Sequence, residues 1–300
     1  MQYTGGTEHW TDKNGIKLFL WRKTPADGAG KATILFVHGS STAGQAAFDL
    51  QVPGLTDTSI MDWFAGCGFD TWCLDNEGYG RSDKSRPINF SIDNGADDLE
   101  AASAYIAAVT GRPKLLLYGT SSGAQKGGLF AMRHPERVAR LALDATFWTG
   151  RDSPDLKQRM VQLPELLAAN RRPFDPAVIA RVFERDGPGL AEPELVEAFG
   201  RAVADLDDSI PTGTYVDACT KLPILDPAKI TVPTLVLRPA RDGIAAFADV
   251  AAFFSALATE DKQMVVLPNS SHAAMWQKNR RLGFQALLAF FDKAETNSLE

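Results

Sequence analysis

The sequence predicts an α/β protein, a mostly parallel, doubly wound sheet carrying an inserted set of helices. Three observations carry this prediction. From Lys31 onward, short apolar runs alternate with longer helix-like segments, the rhythm of βα units. Those runs are continuously apolar, as strands covered on both faces are. One long interval, Asp144 to Pro233, drops the rhythm and holds only helix-like segments punctuated by proline.

The elements follow in order. Glu8 to Arg22 reads as two strands around Asp12-Lys13-Asn14-Gly15, whose Asn-Gly pair signals a hairpin and hence an antiparallel sheet edge. Strands are then expected at Thr33–Val37, Thr71–Leu74, Leu115–Tyr118, Val138–Leu143, Thr234–Leu237 and Gln263–Leu267. Helices are expected at Ala96–Val109, Ala124–Arg133, Ala246–Leu257 and Leu282–Phe291. In the interval without strands, Pro154, Pro164, Pro173, Pro176, Pro188, Pro193 and Pro211 are expected to bound helices, because proline lacks the amide a helix interior needs. An insertion of this size reads as a helical cap over the ligand-binding sheet edge. The expected organisation is a core of residues 1–145 and 229–295, a cap of residues 146–228 and a disordered tail of residues 296–300.

Bulk properties narrow the class of function. The chain has 300 residues, 45% hydrophobic and 23% charged, enough apolar material for a sizeable core. Net charge is −6, from 31 basic and 37 acidic residues with no basic block, which argues against nucleic acid and anionic membrane surfaces as partners. The N-terminus, Met1-Gln2-Tyr3-Thr4-Gly5-Gly6, lacks a signal-peptide pattern, and no apolar run approaches the ~20 residues of a membrane span. Cys67, Cys73 and Cys219 are odd in number and without metal-ligand spacing, so they read as free buried thiols and no metal site is expected. A cytoplasmic address is the resulting expectation.

The chemistry centres on Gly119-Thr120-Ser121-Ser122-Gly123. Gly-x-Ser-x-Gly between a buried strand and a helix is a turn that presents the serine side chain at the strand end, so Ser121 is a candidate nucleophile. A serine hydroxyl needs a base, and the four histidines can be weighed singly. His9 lies in the hairpin, His134 at the far end of the helix after Ser121, and His38 directly after a strand, where it shapes a loop. His272 follows the last strand at the same sheet edge as Ser121 and is the candidate base. The base needs a carboxylate. Asp242, after the strand Thr234–Leu237, is preferred, and Asp144, after Val138–Leu143, is the alternative. The amides of Ser122 and Ser40 are candidate oxyanion donors, Ser40 because it lies just past the strand end at Val37.

With these residues in place, the chain resembles the α/β-hydrolase fold family from Gly15 to Phe291. The resemblance rests on Phe36-Val37-His38-Gly39, on Asp75-Asn76-Glu77-Gly78-Tyr79-Gly80-Arg81-Ser82, on Gly119 to Gly123, and on His272 near the end. The order Ser121, Asp242, His272 is that family's order of nucleophile, acid and base. The resemblance implies a Ser-His-Asp hydrolase that needs no cofactor. Its expected substrate is a small to medium, largely apolar carboxylic ester, cleaved through an acyl-serine. Lactone, amide and C–C bond cleavage use the same triad, and some chains of this fold act as small-molecule receptors instead. Ser41, Phe147, Trp148, Met275 and Trp276 lie next to the proposed loops and are expected to line the substrate pocket. Arg238 and Arg241 flank the acid and read as surface arginines, with contact to a substrate carboxylate as the alternative.

Overall fold

Asn14 and Gly15 both take left-handed φ values, 54° and 87°, and so close a two-residue turn between β1 (Thr7–Lys13) and β2 (Ile16–Lys23). The Asp12 carboxylate accepts the Gly15 amide at 2.8 Å and fixes that turn. The structure, a computed structural model, describes residues 5–25, 28 and 30–293; the segment read as a tail, residues 296–300, lies outside them.

The hairpin leads into β3 (Thr33–Val37), α1 (Gly44–Phe48), α2 (Ile60–Gly66) and β4 (Asp70–Leu74). Next come α3 (Ile92–Thr110), β5 (Leu115–Thr120), α4 (Ser122–Arg133) and β6 (Val138–Asp144). The stretch expected to form a cap holds α5 (Pro154–Ala168), β7 (Arg171–Pro173), α6 (Ala177–Glu184), α7 (Pro193–Ala204), β8 (Ser209–Pro211) and α8 (Gly213–Thr220). The chain then returns to the sheet through β9 (Thr234–Pro239), α9 (Phe247–Ala256), β10 (Lys262–Leu267) and α10 (Arg280–Phe291).

Eight strands form one sheet in the order β1-β2-β4-β3-β5-β6-β9-β10. The pairs β1–β2 and β2–β4 are antiparallel and the rest parallel, so the mixed edge predicted from the Asn-Gly turn is present. Each central strand splits its side chains between two layers. Leu35, Val37, Leu117 and Leu141 pack with α3, α4 and α9 residues such as Leu99, Phe130 and Phe253. Ile34, Phe36, Leu116 and Tyr118 pack on the other face with Phe48, Phe64 and Phe284. This two-sided burial is why the strands read as unbroken apolar runs. The connections run to opposite sides of β3, toward β4 and toward β5, so the strand order reverses there and leaves a crevice at the carboxyl ends.

The structure corrects the sequence reading in four places. Strand β10 is an edge strand rather than one covered on both faces: it pairs only with β9, and Val266 is 44% exposed. The interval between β6 and β9 does contain strands, β7 and β8, paired antiparallel as a separate two-stranded ribbon. At three residues each they are too short to show a period of two. Pro164 lies inside α5, and Pro173 and Pro211 lie in β7 and β8, instead of bounding helices, while Pro154 and Pro193 do begin helices. The Pro164 ring deprives the Met160 carbonyl of its helical donor, a loss tolerated where Met160 and Val161 face solvent. Of the free thiols, Cys73 is buried and Cys67 and Cys219 are half-buried.

The inserted helices are tied to the sheet body by Asp249 of α9. Its carboxylate accepts the amides of Trp148, Thr149 and Gly150 at 3.0–3.2 Å, just where the chain leaves β6. The Ser153 hydroxyl then caps α5 by accepting the Leu156 amide at 3.1 Å. Farther along, Phe199 of α7 meets Trp276 edge-on at 5.5 Å, joining the insertion to the core layer around Phe48. Among the described residues no helix is long and apolar enough to cross a membrane.

Candidate active site

Ser121 sits between β5 and α4 with φ 57° and ψ −120°, a conformation that costs roughly 1–3 kcal/mol for a residue with a side chain. The flanking glycines explain how the turn fits. A Cβ on Gly119 would lie 2.3 Å from the Gly123 carbonyl oxygen, and one on Gly123 would lie 2.2 Å from that of Val37. Only bare backbone allows β3, β5 and α4 to cross at this range. The Ser121 amide donates to the Asp144 carbonyl at 2.9 Å, extending the β5–β6 ladder to the turn.

Two loops bring partners to the Ser121 hydroxyl. After β9, the Ala240 and Arg241 amides donate to the carbonyls of Leu267 and Ser270, each at 2.9 Å, which stitches this loop to the one after β10. The Ile244 amide donates to the Asp242 carboxylate at 2.9 Å. The loop after β10 is held from behind by buried Gln277, which accepts the Ser271 amide at 2.9 Å and donates to the Ser271 hydroxyl at 2.5 Å. The result is a continuous relay. His272 Nδ1 lies 3.0 Å from both Asp242 carboxylate oxygens, and Nε2 lies 2.9 Å from Ser121 Oγ. With Nδ1 donating to the carboxylate, Nε2 is free to accept the serine proton.

Burial alone would push the Asp242 carboxyl up, but the charge and hydrogen bond of His272 outweigh it, helped by the Ile244 amide and Arg185. The carboxyl therefore lies below its ordinary value and stays ionised. Asp144, the alternative acid, is fully buried one strand away and accepts the Tyr118 hydroxyl at 2.7 Å; no hydrogen bond joins it to His272. Burial pushes its carboxyl up to about 6. A hydroxyl, an imidazole and an ionised buried carboxylate in this sequence can transfer a proton off the serine and stabilise the imidazolium that results.

The loop after β3 is built around His38. Its Nδ1 donates to the Gly39 carbonyl at 2.7 Å and its Nε2 accepts the Asn76 amide at 3.0 Å. Burial and the neighbouring Lys126 charge hold this imidazole well below its usual range, so it is neutral. Lys126, on α4 just past the turn, donates to Asn76 Oδ1 at 2.8 Å and to the His38 carbonyl at 3.3 Å. Burial brings the Lys126 amine down to about 7, against the opposing pull of Asp98. One side chain thus ties together the ends of β3, β4 and α4. Gly39 passes close to the serine: a Cβ there would be 3.6 Å from Ser121 Cβ. Ser122, first residue of α4, has no intrahelical acceptor for its amide.

Residues 30–279 match the family model described as serine aminopeptidase, S33. The chain belongs to this α/β-hydrolase family. A stretch of 118 residues is 31% identical to the 2-hydroxy-6-oxononadienedioate/2-hydroxy-6-oxononatrienedioate hydrolase of Paraburkholderia phymatum. It covers 39% of this chain and 36% of that protein, so the match spans about a third of the relative's length. An esterase from Exiguobacterium antarcticum superimposes with a TM-score of 0.71 at 14% identity, covering 96% of this chain and 100% of the esterase. The enol-lactonase of Burkholderia xenovorans LB400 gives 0.68 at 17%, covering 95% of this chain and 100% of the lactonase. At these identities the likeness to the two structures is one of fold.

In this α/β-hydrolase a cavity of about 90 Å³ opens over Ser121 and His272, lined by Ser40, Ser41 and Trp276 and by Ile179, Phe183 and Phe199 of α6 and α7. Phe147, Trp148 and Met275 do not line it, contrary to expectation. Phe147 and Trp148 turn into the core layer beneath α9, with Trp148 Nε1 donating to the Leu225 carbonyl at 3.1 Å. Met275 packs against Gly283 of α10. Arg238 and Arg241 are likewise occupied: Arg238 is buried and donates to the Ala245 carbonyl at 2.8 Å, and Arg241 donates to Asn269 Oδ1 at 3.0 Å. The cations that do line the cavity, Arg159 and Arg185, come from α5 and the end of α6, and Tyr215 of α8 joins them. Nothing in the sequence set these three apart from the other polar residues of exposed helices. Among the described residues, no group of three or more His, Cys, Asp or Glu side chains is placed to hold a metal ion.

Proposed function

We propose that the protein is a serine hydrolase that cleaves small to medium carboxylic esters through an acyl-serine intermediate. The observation that supports this most is the unbroken relay from Asp242 through His272 to Ser121 Oγ, with both links at 2.9–3.0 Å. Ser121 Oγ attacks the ester carbonyl carbon while His272 Nε2 takes its proton, and Asp242 stabilises the imidazolium. The oxyanion is met by the amides of Ser122 and Ser40, the former at the positive end of α4. Collapse breaks the bond to the leaving alcohol, which takes the proton from His272. Water then gives a proton to His272, attacks the acyl carbon, and releases the acid with Ser121 restored. Residues 146–228 act as the cap, since α6 and α7 supply the apolar wall of the cavity. The apolar wall of the cavity suits the acyl segment next to the reacting carbonyl.

The test is labelling by a fluorophosphonate together with turnover of 4-nitrophenyl butyrate. Labelling should map to Ser121 and vanish in Ser121→Ala, and butyrate turnover should fall by at least 10³-fold. Labelling elsewhere, or turnover that survives Ser121→Ala, would refute the assignment. Cleavage of a C–C bond next to a ketone is the second reading, favoured by the 31% identity to a hydrolase of an oxo-dioate. A matched panel of ester, lactone and vinylogous diketone separates the two readings.

A further inference from the structure

Outside the small cavity lies a groove of about 570 Å³, and the two share a rim made of Arg159, Val182, Arg185 and Tyr215. The groove is also lined by Arg172, on β7. A chain of net charge −6 therefore gathers four guanidiniums along this groove, Arg159, Arg172, Arg185 and Arg181, the last paired with Asp175 at 3.5 Å. They are not equivalent. Arg185 is neutralised where it stands, 2.9 Å from Asp155 and 3.2 Å from Asp186. Arg159 and Arg172 have no carboxylate within ion-pairing distance among the described residues. Each lies over the Tyr215 ring instead, at 4.5 and 4.6 Å from its centroid. The Arg172 fork is only half used: one terminal nitrogen donates to Ser41 Oγ at 3.2 Å, while its Nε is buried without a partner.

Like charges side by side repel, and a buried donor left unpaired is costly. Tyr215 responds to the uncompensated charge. Burial would push its phenol up, yet the Arg172 and Arg159 charges, with the hydrogen bond to Ser41 at 2.9 Å, bring it below its ordinary value. The arrangement suits an anion. Four guanidiniums against the carboxylates of Asp155, Glu184 and Asp186 leave one positive charge, the complement of a monoanion rather than of a doubly charged phosphate. A planar fork matches a carboxylate in geometry as well as charge.

We propose that Arg159 and Arg172, braced on Tyr215 and Ser41, form a specificity site for a carboxylate carried by the substrate at the end remote from the scissile bond. This rests on the serine-hydrolase reading above and adds the substrate class: half-esters of diacids, or other acyl substrates bearing a distal carboxylate. The apolar cavity takes the segment next to the reacting carbonyl, and the rim takes the charge.

The experiment compares mono-4-nitrophenyl esters of adipic, pimelic and suberic acids, each against its uncharged methyl ester, with 4-nitrophenyl 5-phosphonopentanoate as the phosphorus counterpart. At one of these lengths kcat/KM should favour the carboxylate over the methyl ester by at least tenfold. That ratio should shrink as KCl rises from 25 to 500 mM, since it is electrostatic. It should fall toward one in Arg159→Gln and in Arg172→Gln, mainly through KM, and recover in part in Arg159→Lys. Equal rates for acid and methyl ester at every length, with Ser121 still labelled by fluorophosphonate, would overturn the carboxylate site and leave the hydrolase reading standing. A preference for the phosphonate, or a ratio unchanged in both glutamine variants, would also overturn it. Failure of all esters together with failure of labelling would remove both readings. Where Ser121 is labelled but no ester turns over, protection from labelling by the free diacids against their diamides gives the same comparison. Protection by the diacids alone supports the site, and equal protection overturns it.

Discussion

Asp144 ends β6 and Asp242 lies in the loop after the adjacent parallel strand β9, and both are buried, yet their environments part them. Asp242 faces His272 Nδ1 with both oxygens and is held ionised; Asp144 spends its hydrogen bond on Tyr118. Asp242→Asn should therefore lower kcat for an ester by ~10⁴, because an amide holds the wrong imidazole tautomer. Asp144→Asn should leave kcat within about threefold. The reverse pattern in steady-state kinetics would move the acid to Asp144. At this scale the sequence was informative where position alone fixes proximity: Ser121, Asp242 and His272 each follow a strand of one parallel sheet, so their meeting at one edge was legible. Gln277 was not, since its bonds to Ser271 depend on the loop's path and no spacing encodes that. Arg159, Arg172 and Tyr215 were illegible for the same reason, as they meet only once α5, β7 and α8 have packed.

The central strands and the helices α3, α4, α9 and α10 were readable, whereas α1, α2 and the bounds of the helices in the insertion were not. The expected starts and ends of α4, α9, β3 and β9 differ from the observed ones by a few residues at most, since apolar runs of strand or helix length mark them. The β7–β8 ribbon has three residues in each strand, one of them proline, and its pairing depends on what surrounds it. Attachment of the inserted elements is likewise a tertiary property. Asp249 belongs to α9 but serves the segment after β6, satisfying three successive backbone amides there. Asp249→Ala leaves those amides without their acceptor and should lower unfolding stability by about 1–3 kcal/mol, seen as a lower urea midpoint. Limited proteolysis should then cut near residues 148–153 before the sheet body is attacked. Unchanged cleavage would mean the segment is held mainly by its apolar contacts.

At the scale of the whole molecule, the sheet was predicted with its antiparallel edge, its parallel centre and the interval that interrupts it, because both faces of every central strand are apolar. The one strand misjudged, β10, carries an apolar run while lying at the edge, and a run of that kind does not say how many neighbours a strand has. Burial on both faces also sets the molecule's response to pH. Asp144 is fully buried and its carboxyl is raised to about 6, above the ordinary 3.8, so the folded state holds that proton more tightly than the unfolded chain does. The contribution to stability accordingly falls as pH rises through the window from about 4 to 6 and is lost in full above it, a cost on the order of 3 kcal/mol. Asp144→Asn removes the titrating group and keeps an oxygen for Tyr118. Its gain in Tm over the parent should grow between pH 4 and 7 and then level off. A gain independent of pH would show that Asp144 does not titrate in this range.

The left-handed turn at Ser121 has a consequence for how such a chain can change over time. Its φ of 57° and ψ of −120° suit glycine better than any residue with a side chain, so on grounds of folding alone position 121 is occupied by the wrong amino acid. Selection for heat resistance with no demand for turnover would drift toward Ser121→Gly, yielding a sturdier and inert protein. A serine kept there against that drift is a mark that the lineage is being held to its chemistry.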